Sequence, residues 1–191
     1  MAKRANFNYF ENLLGFNKLI LKQVLSKGAT VVDATCGNGH DTLFLAEHIG
    51  PQGKIYCFDI QSQAIQITTE LVKSLDPLPN IEFINDSHIQ FKEYIQESVD
   101  LFIYNLGYLP NTDKNIITQF DTTLNSLNVA IELLKSGGFI SILSYIGHDG
   151  GKEFNHVNQW LNTLDPNEYS ITKTEFILRK NSPILFLIEK L

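Results

Sequence analysis

Cysteine is nearly absent, with Cys36 and Cys57 the two such residues in 191. Two are too few for a disulfide framework, and their spacing is not that of a zinc site. Reduced, structural thiols are expected. Long apolar runs are also missing, so no segment reaches transmembrane length. The start, Met1 to Asn6, leads into no apolar signal core, and a cytoplasmic protein without a membrane partner is expected. Positive charge is in short supply: 15 Lys and Arg face 21 Asp and Glu, a net charge of −6. That balance argues against broad, non-specific nucleic-acid binding. No repeat, low-complexity tract or linker interrupts the chain, so residues 1–191 are expected to form a single domain.

What is present suits a folded core, since 43% of residues are apolar. The basic charge is uneven. Lys3, Arg4, Lys18, Lys22 and Lys27 stand against Glu11 alone in the first 27 residues. Lys173, Arg179 and Lys180 form a second basic group. Either can serve as a local phosphate-binding face or as ordinary solvated charge.

The organising stretch is Val31-Val32-Asp33-Ala34-Thr35-Cys36-Gly37-Asn38-Gly39-His40-Asp41-Thr42. A short apolar run ends in an acid, passes a glycine turn and meets residues suited to open a helix. Val31 and Val32 suit a buried strand of a parallel sheet. Gly37 and Gly39 permit positive φ and close approach of backbone to ligand. Asp41 and Thr42 can cap a helix from Thr42 to about Ile49 and leave its amides facing the ligand. The loop reads G-x-G-x-x-T between strand and helix, the context a nucleotide loop requires. Asp59 lies 20 residues beyond Gly39 at the end of the next strand, the spacing of a ribose-binding carboxylate. A pyrophosphate would sit on the loop amides, whereas Asp33 and Asp41 suit a ligand bearing positive charge. The acids therefore favour S-adenosylmethionine, with its ammonium and sulfonium, over NAD.

Hydrophobic periodicity places a helix over residues 9–26 and strands at Thr30–Ala34 and Lys54–Ile60. A helix at Gln61–Ser74 precedes a strand at Ile81–Asn85. A helix at about Ile89–Ile95 precedes a strand at Asp100–Tyr104. Asn105–Lys114 reads as a loop, Ile116–Lys135 as a helix and Phe139–Ser144 as a strand. A helix from Gly150-Gly151 to Leu164 leads to a hairpin of Tyr169–Leu178 and Ile184–Glu189. This is an α/β chain with a doubly wound, mostly parallel, seven-stranded Rossmann-like sheet and a C-terminal antiparallel hairpin. Ligands bind such sheets beyond the carboxyl ends of the strands.

The remaining informative residues lie at those ends. Asp86 and Ser87 can bind the edge of an adenine, or cap the next helix. Asn105-Leu106-Gly107-Tyr108-Leu109-Pro110 resembles the N-P-P-Y motif of amino-group methyltransferases, with Leu-Gly in place of Pro-Pro. Asn105 can accept from a substrate N–H, and Tyr108 can stack on a ring. In Ser144 to Glu153, three glycines surround His148, a base available near neutral pH. Tyr145 can line the pocket. His40 belongs to the cofactor loop, His88 to a helix start, and His48 and His156 to solvent-facing helix positions. The expected cofactor set is Asp33, Thr35, Gly37, Asn38, Gly39, His40, Asp41, Thr42, Asp59, Ile60, Gln61, Asp86, Ser87 and Asn105. The expected catalytic set is Asn105, Tyr108, Tyr145 and His148, and no histidine set has metal-ligand spacing.

Three motifs in order now carry a resemblance over nearly the whole chain. They are Asp33 to Thr42, Asn105 to Pro110 with Asp113-Lys114, and Gly147-His148 with Gly150-Gly151-Lys152-Glu153. Together they resemble the MnmM (YtqB-like) methyltransferases, long labelled rRNA methylases. The resemblance implies a class I S-adenosylmethionine-dependent fold. It also implies methylation of 5-aminomethyl-2-thiouridine at the tRNA wobble position, with the anticodon stem-loop as partner. The sequence departs from the family at Asn111, where glycine is expected, and at Phe154, where an acid is common. The residues alone leave other classes open: a methyltransferase for an rRNA or small-molecule amine, an NAD-dependent oxidoreductase, or a non-catalytic RNA-binding protein. Oligomeric state is also open, a homodimer included.

Overall fold

The computed structural model describes residues 11–107, 120–146, 150–179 and 182–191. Its strands are β1 (Thr30–Asp33), β2 (Lys54–Phe58), β3 (Asn80–Ile84), β4 (Val99–Leu106), β5 (Leu134–Ser144), β6 (Tyr169–Thr174) and β7 (Ile184–Lys190). They form one sheet in the order β3-β2-β1-β4-β5-β7-β6. The first five run parallel, and β7 lies antiparallel between β5 and β6. The helices are α1 (Leu13–Val24), α2 (His40–Ile49), α3 (Ser62–Val72), α4 (Phe91–Tyr94), α5 (Phe120–Leu133) and α6 (Lys152–Leu161). The doubly wound sheet and closing hairpin are those expected.

Strand alternation sorts the side chains onto two faces. Val32, Tyr56, Phe58, Phe102, Tyr104, Ile140 and Ile142 pack with Phe91, Leu127, Ala130, Val157 and Leu161 from α4, α5 and α6. Val31, Ile55, Cys57, Leu101 and Ile103 pack with Leu21, Phe44, Leu45, Ile49 and Ala64 from α1, α2 and α3. Both faces are covered, which is why the inner strands read as apolar runs. Polar chemistry is left to the strand ends.

Helix α1 closes the far side of the sheet through Leu13, Asn17 and Leu21. Leu13 packs with Leu143 of β5 and Leu185 of β7. Asn17 is buried, and its Oδ1 accepts a hydrogen bond from Ser141 Oγ at 3.0 Å. Asn12 caps the helix, accepting from Gly15 N at 2.7 Å.

Several boundaries differ from the expected ones. β4 continues to Leu106, because Asn105 and Leu106 pair with Leu143 and Ser144. Asn105 therefore sits on a strand, not in a loop. Leu134 joins β5 by pairing with Val99, so α5 ends earlier than the apolar pattern suggested. β6 stops at Thr174. Beyond it Phe176 packs beside Leu13, and the Arg179 guanidinium lies 4.3 Å from the Phe176 ring centroid. The expected helix at Ile89–Ile95 is a 3-10 turn, His88–Gln90, followed by the short α4. No helix among the described residues is long and apolar enough to cross a membrane.

Phe91 is the aromatic hub of one face. Its ring centroid lies 4.9 Å from Phe58, 5.4 Å from Phe102 and 6.4 Å from Tyr104. Replacing Phe91 with Ala should lower stability by about 3–5 kcal/mol, read by urea unfolding with an unchanged denaturant slope. A loss under about 1 kcal/mol would show that α4 is not part of the cooperative core.

Candidate active site

The loop from β1 to α2 is braced from within. Asp33 ends β1 with no exposed surface. Its Oδ1 accepts from Thr35 N at 3.2 Å and its Oδ2 from Thr42 Oγ1 at 2.7 Å. Burial, reinforced by the charge of Asp41, pushes the Asp33 carboxyl up to about 7. Both oxygens of Asp33 thus hold strand to helix. Helix α2 starts at His40, two residues early, with Gly39 at its cap position and no side-chain cap. Thr42 is committed to Asp33, and Asp41 to Lys18, so neither caps as expected.

The loop glycines also serve the interior. Gly37 N donates to Asp59 Oδ2 at 3.0 Å, and Gly39 N donates to the Cys36 carbonyl at 2.8 Å. Both glycines have positive φ, as expected, and both amides are engaged within the protein. Gly39 has φ +79°, and a Cβ there would lie 2.9 Å from Thr68 Cα on α3. The residue is glycine because a helix backbone passes that close. Asn38 is half-buried and His40 exposed in the same loop.

Asp59 follows β2 and is half-buried. Its Oδ1 accepts from Gln61 N at 2.9 Å, opposite the Gly37 bond on Oδ2. Each oxygen keeps accepting capacity, a set suited to two neighbouring hydroxyls. Burial raises this carboxyl above its ordinary value, and the two backbone donors oppose the shift. Ile60 is 57% exposed next to it, an apolar surface for a flat ring. Beyond β3, Asp86 accepts from Ser87 N at 2.7 Å and from Tyr94 Oη at 2.9 Å. Ser87 caps the 3-10 turn, accepting from Ile89 N at 3.4 Å. His88 is buried against Tyr104, with Nδ1 3.3 Å from the Ala34 carbonyl. Its Nε2 has no partner among the described residues. Burial lowers its pKa and keeps the imidazole neutral.

Asn105 joins this edge from β4. Its backbone N donates to Thr35 Oγ1 at 2.8 Å, and its Nδ2 lies 3.4 Å from Asp41 Oδ2. Lys18 reaches over from α1, with Nζ 2.9 Å from Asp41 Oδ1 and 3.0 Å from the His40 carbonyl. Tyr145 is half-buried near the same group, and burial together with the charge of Asp41 raises its phenol. The structure thus gathers the loop, Asp59, Asp86 and Asn105 at one sheet edge. Tyr108 and His148 lie outside the described residues. Lys18 was missed as a site residue. The only local sign was Asn17, a polar residue in the apolar stripe of α1.

These partners test the cofactor. A pyrophosphate needs free loop amides, and those of Gly37 and Gly39 are spent. A ribose needs a carboxylate with spare acceptors, and Asp59 provides one. The charge argument weakens, since Lys18 neutralises Asp41 and burial pushes the Asp33 carboxyl up to about 7, leaving it only partly ionised near neutral pH. The fit to a nucleoside without pyrophosphate rests on Asp59 and Ile60 instead.

Comparison with known proteins agrees. Residues 55–190 match the family described as "Putative rRNA methylase". The chain belongs to this methylase family. It is 37% identical over 183 residues to an Arabidopsis thaliana protein named "tRNA (mnm(5)s(2)U34)-methyltransferase, chloroplastic". That alignment covers 90% of this chain and 67% of the plant protein. A "putative rRNA-methylase" crystal structure from Clostridium thermocellum is 41% identical with a TM-score of 0.90, covering 94% of this chain and 98% of that one. A "putative methyltransferase" of Streptococcus mutans, solved in complex with SAH, is 35% identical with a TM-score of 0.84, covering 100% of both chains. The protein is an S-adenosylmethionine-dependent methyltransferase with the class I fold.

Asp33 makes the fold pH-dependent. Below about pH 3 its carboxyl is protonated in folded and unfolded chains alike. As pH rises from the ordinary 3.8 through about 7, the unfolded chain ionises first and the fold loses stability. Asp33→Asn removes that titration. The variant should gain about 2–4 kcal/mol on wild type between about pH 4 and 8, read by urea unfolding at each pH. A constant difference would show that Asp33 ionises freely in the folded protein.

Proposed function

We propose that this methyltransferase acts on tRNA, converting 5-aminomethyl-2-thiouridine at the wobble position into 5-methylaminomethyl-2-thiouridine. The observation that carries the reading is the Asn105 amide at the end of β4. Its Nδ2 faces the carboxylate of Asp41, which leaves Oδ1 to accept from an N–H of a substrate amine. The likeness to the Arabidopsis wobble-uridine enzyme supplies the substrate. The reading carries with it the anticodon stem-loop as partner and a cytoplasmic location.

Bound S-adenosylmethionine supplies a methyl carbon on a positively charged sulfur, an electrophile that needs no further activation by the protein. The chain's residues do the rest. Asp59 would hold the ribose hydroxyls, Ile60 the adenine face, and Asp86 its polar edge. Thr35, Asn38, His40 and Asp41 would border the methionine end. Asn105 would hold the amine by one N–H, turning the nitrogen lone pair toward the methyl carbon. A single fixed hydrogen bond of this kind restricts the approach, and most of the acceleration comes from such positioning and from excluding water. The amine must be neutral to react and must lose a proton afterwards. His148 or water would take it. Tyr108 and Tyr145 would shape the mouth through which the base enters.

The deciding experiment is methyl transfer onto tRNA from cells lacking this protein, with digested nucleosides read by mass spectrometry. Conversion of the aminomethyl to the methylamino nucleoside is expected. No conversion, with S-adenosylmethionine binding confirmed by calorimetry, would discard the wobble substrate. The family description points to rRNA as the next RNA to assay. Replacing Asn105 with Ala should lower turnover about 100-fold while leaving cofactor affinity within about threefold. Equal loss of both would remove Asn105 from its assigned role.

A further inference from the structure

Asp41 lies in the cofactor loop yet faces two residues from distant parts of the chain. Lys18 of α1 touches one carboxylate oxygen at 2.9 Å, and the Asn105 Nδ2 lies 3.4 Å from the other. Lys18 also donates to the His40 carbonyl at 3.0 Å and stands 5.2 Å from the Phe44 ring centroid. Its ammonium is thus fixed by three groups of one helix start. The helix that carries it is fixed as well, by Leu13 and by the buried bond between Asn17 and Ser141.

We propose that Lys18 is a positioning residue of the transfer reaction: through Asp41 it sets which end of the Asn105 amide faces the substrate. The proposal rests on the reading of Asn105 as the contact for the substrate amine. Its logic is one of donors and acceptors. An ionised carboxylate only accepts, so Asp41 can take only the NH2 end of the Asn105 amide. The carbonyl end is then left for the substrate, where an acceptor is required. Asp41 has little exposed surface, 8% of its full value. It also stands near the Asp33 carboxyl, where the two charges repel. The Lys18 ammonium holds that carboxylate against the Asn105 amide. Without Lys18, Asp41 would turn toward water, and the Asn105 amide would be free to flip and present its NH2 to the N–H of the amine.

Four proteins decide the matter: Lys18→Met, Lys18→Arg, Asn105→Ala and the Lys18→Met/Asn105→Ala double variant. Each is assayed for kcat, for KM toward tRNA and for cofactor affinity by calorimetry. Lys18→Met is expected to lower kcat about 10- to 100-fold with cofactor affinity within about threefold, and Lys18→Arg to restore kcat to within about threefold. The double variant is expected to be no slower than Asn105→Ala alone, because both act through one amide. Asp41→Asn offers a second break in the same chain and should show the same loss of kcat. A readout without turnover accompanies these. The Asn105 side-chain amide resonance of the free protein should move to a solvent-like position in Lys18→Met and stay in place in Lys18→Arg.

Intact kcat, additive losses in the double variant, or an unmoved amide resonance would each overturn the proposal while leaving the role of Asn105 standing. A loss confined to cofactor affinity would overturn it too and make Lys18 a cofactor contact. Full turnover in Asn105→Ala would overturn both the proposal and the reading beneath it.

Discussion

The site depends on a buried carboxyl that ties a strand to a helix. Asp33 closes the gap between the end of β1 and the start of α2 by binding Thr35 N and Thr42 Oγ1. That closure turns Gly37 toward Asp59 and brings Thr35 under the backbone of Asn105. Three strands are thereby joined at their carboxyl ends by hydrogen bonds to one short loop. Burial pushes the Asp33 carboxyl up to about 7, so near neutral pH the brace carries only part of a charge into the core. A full charge there would need a partner ion, and the described residues place that ion one shell out, on Asp41.

The division of labour among the acids follows from depth. Asp33 is fully buried and structural. Asp41 is slightly exposed and paired with Lys18. Asp59 is half-buried and holds two backbone amides while retaining capacity for more. The same residue type thus performs three tasks, separated by a few ångströms of burial and by what each oxygen meets. The neutral imidazole of His88, packed under Ala34 beside Tyr104, closes the floor between β1 and β4 in the same manner.

Much of this was legible in the sequence, because the signals were local. Alternating apolar runs and glycine turns gave the order of strands and helices, and the spacing from Gly39 to Asp59 located the second acid. The errors were of a different kind. Asn105 was placed in a loop because a polar amide breaks an apolar run, but pairing with β5 extends the strand regardless of polarity. Gly39 was read only as part of a ligand loop, and its second task, making room for Thr68 on α3, joins segments far apart in sequence. Lys18 was invisible for the same reason. Its partners lie beyond the reach of any periodic pattern, and a lysine on an amphipathic helix looks like surface charge. Asp86 and Ser87 carried both a binding and a capping reading, and the structure shows Ser87 capping the turn.

The place of β7 has a consequence for how the chain matures. β6 precedes β7 in sequence but lies outside it, so β6 has no neighbour in the sheet until β7 arrives. During synthesis β5 emerges early, with an open edge of unpaired amides and carbonyls along Phe139–Ser144. That edge can be filled only when Ile184 and the residues after it leave the ribosome. The nascent protein therefore carries an exposed strand edge through the making of α6 and β6, the state in which neighbouring chains are most able to pair. Helix α1 is bound to the same late event, since Leu13 needs Leu185 as well as Leu143 to complete its packing. The part that brings Lys18 to the site is among the first made and among the last to settle.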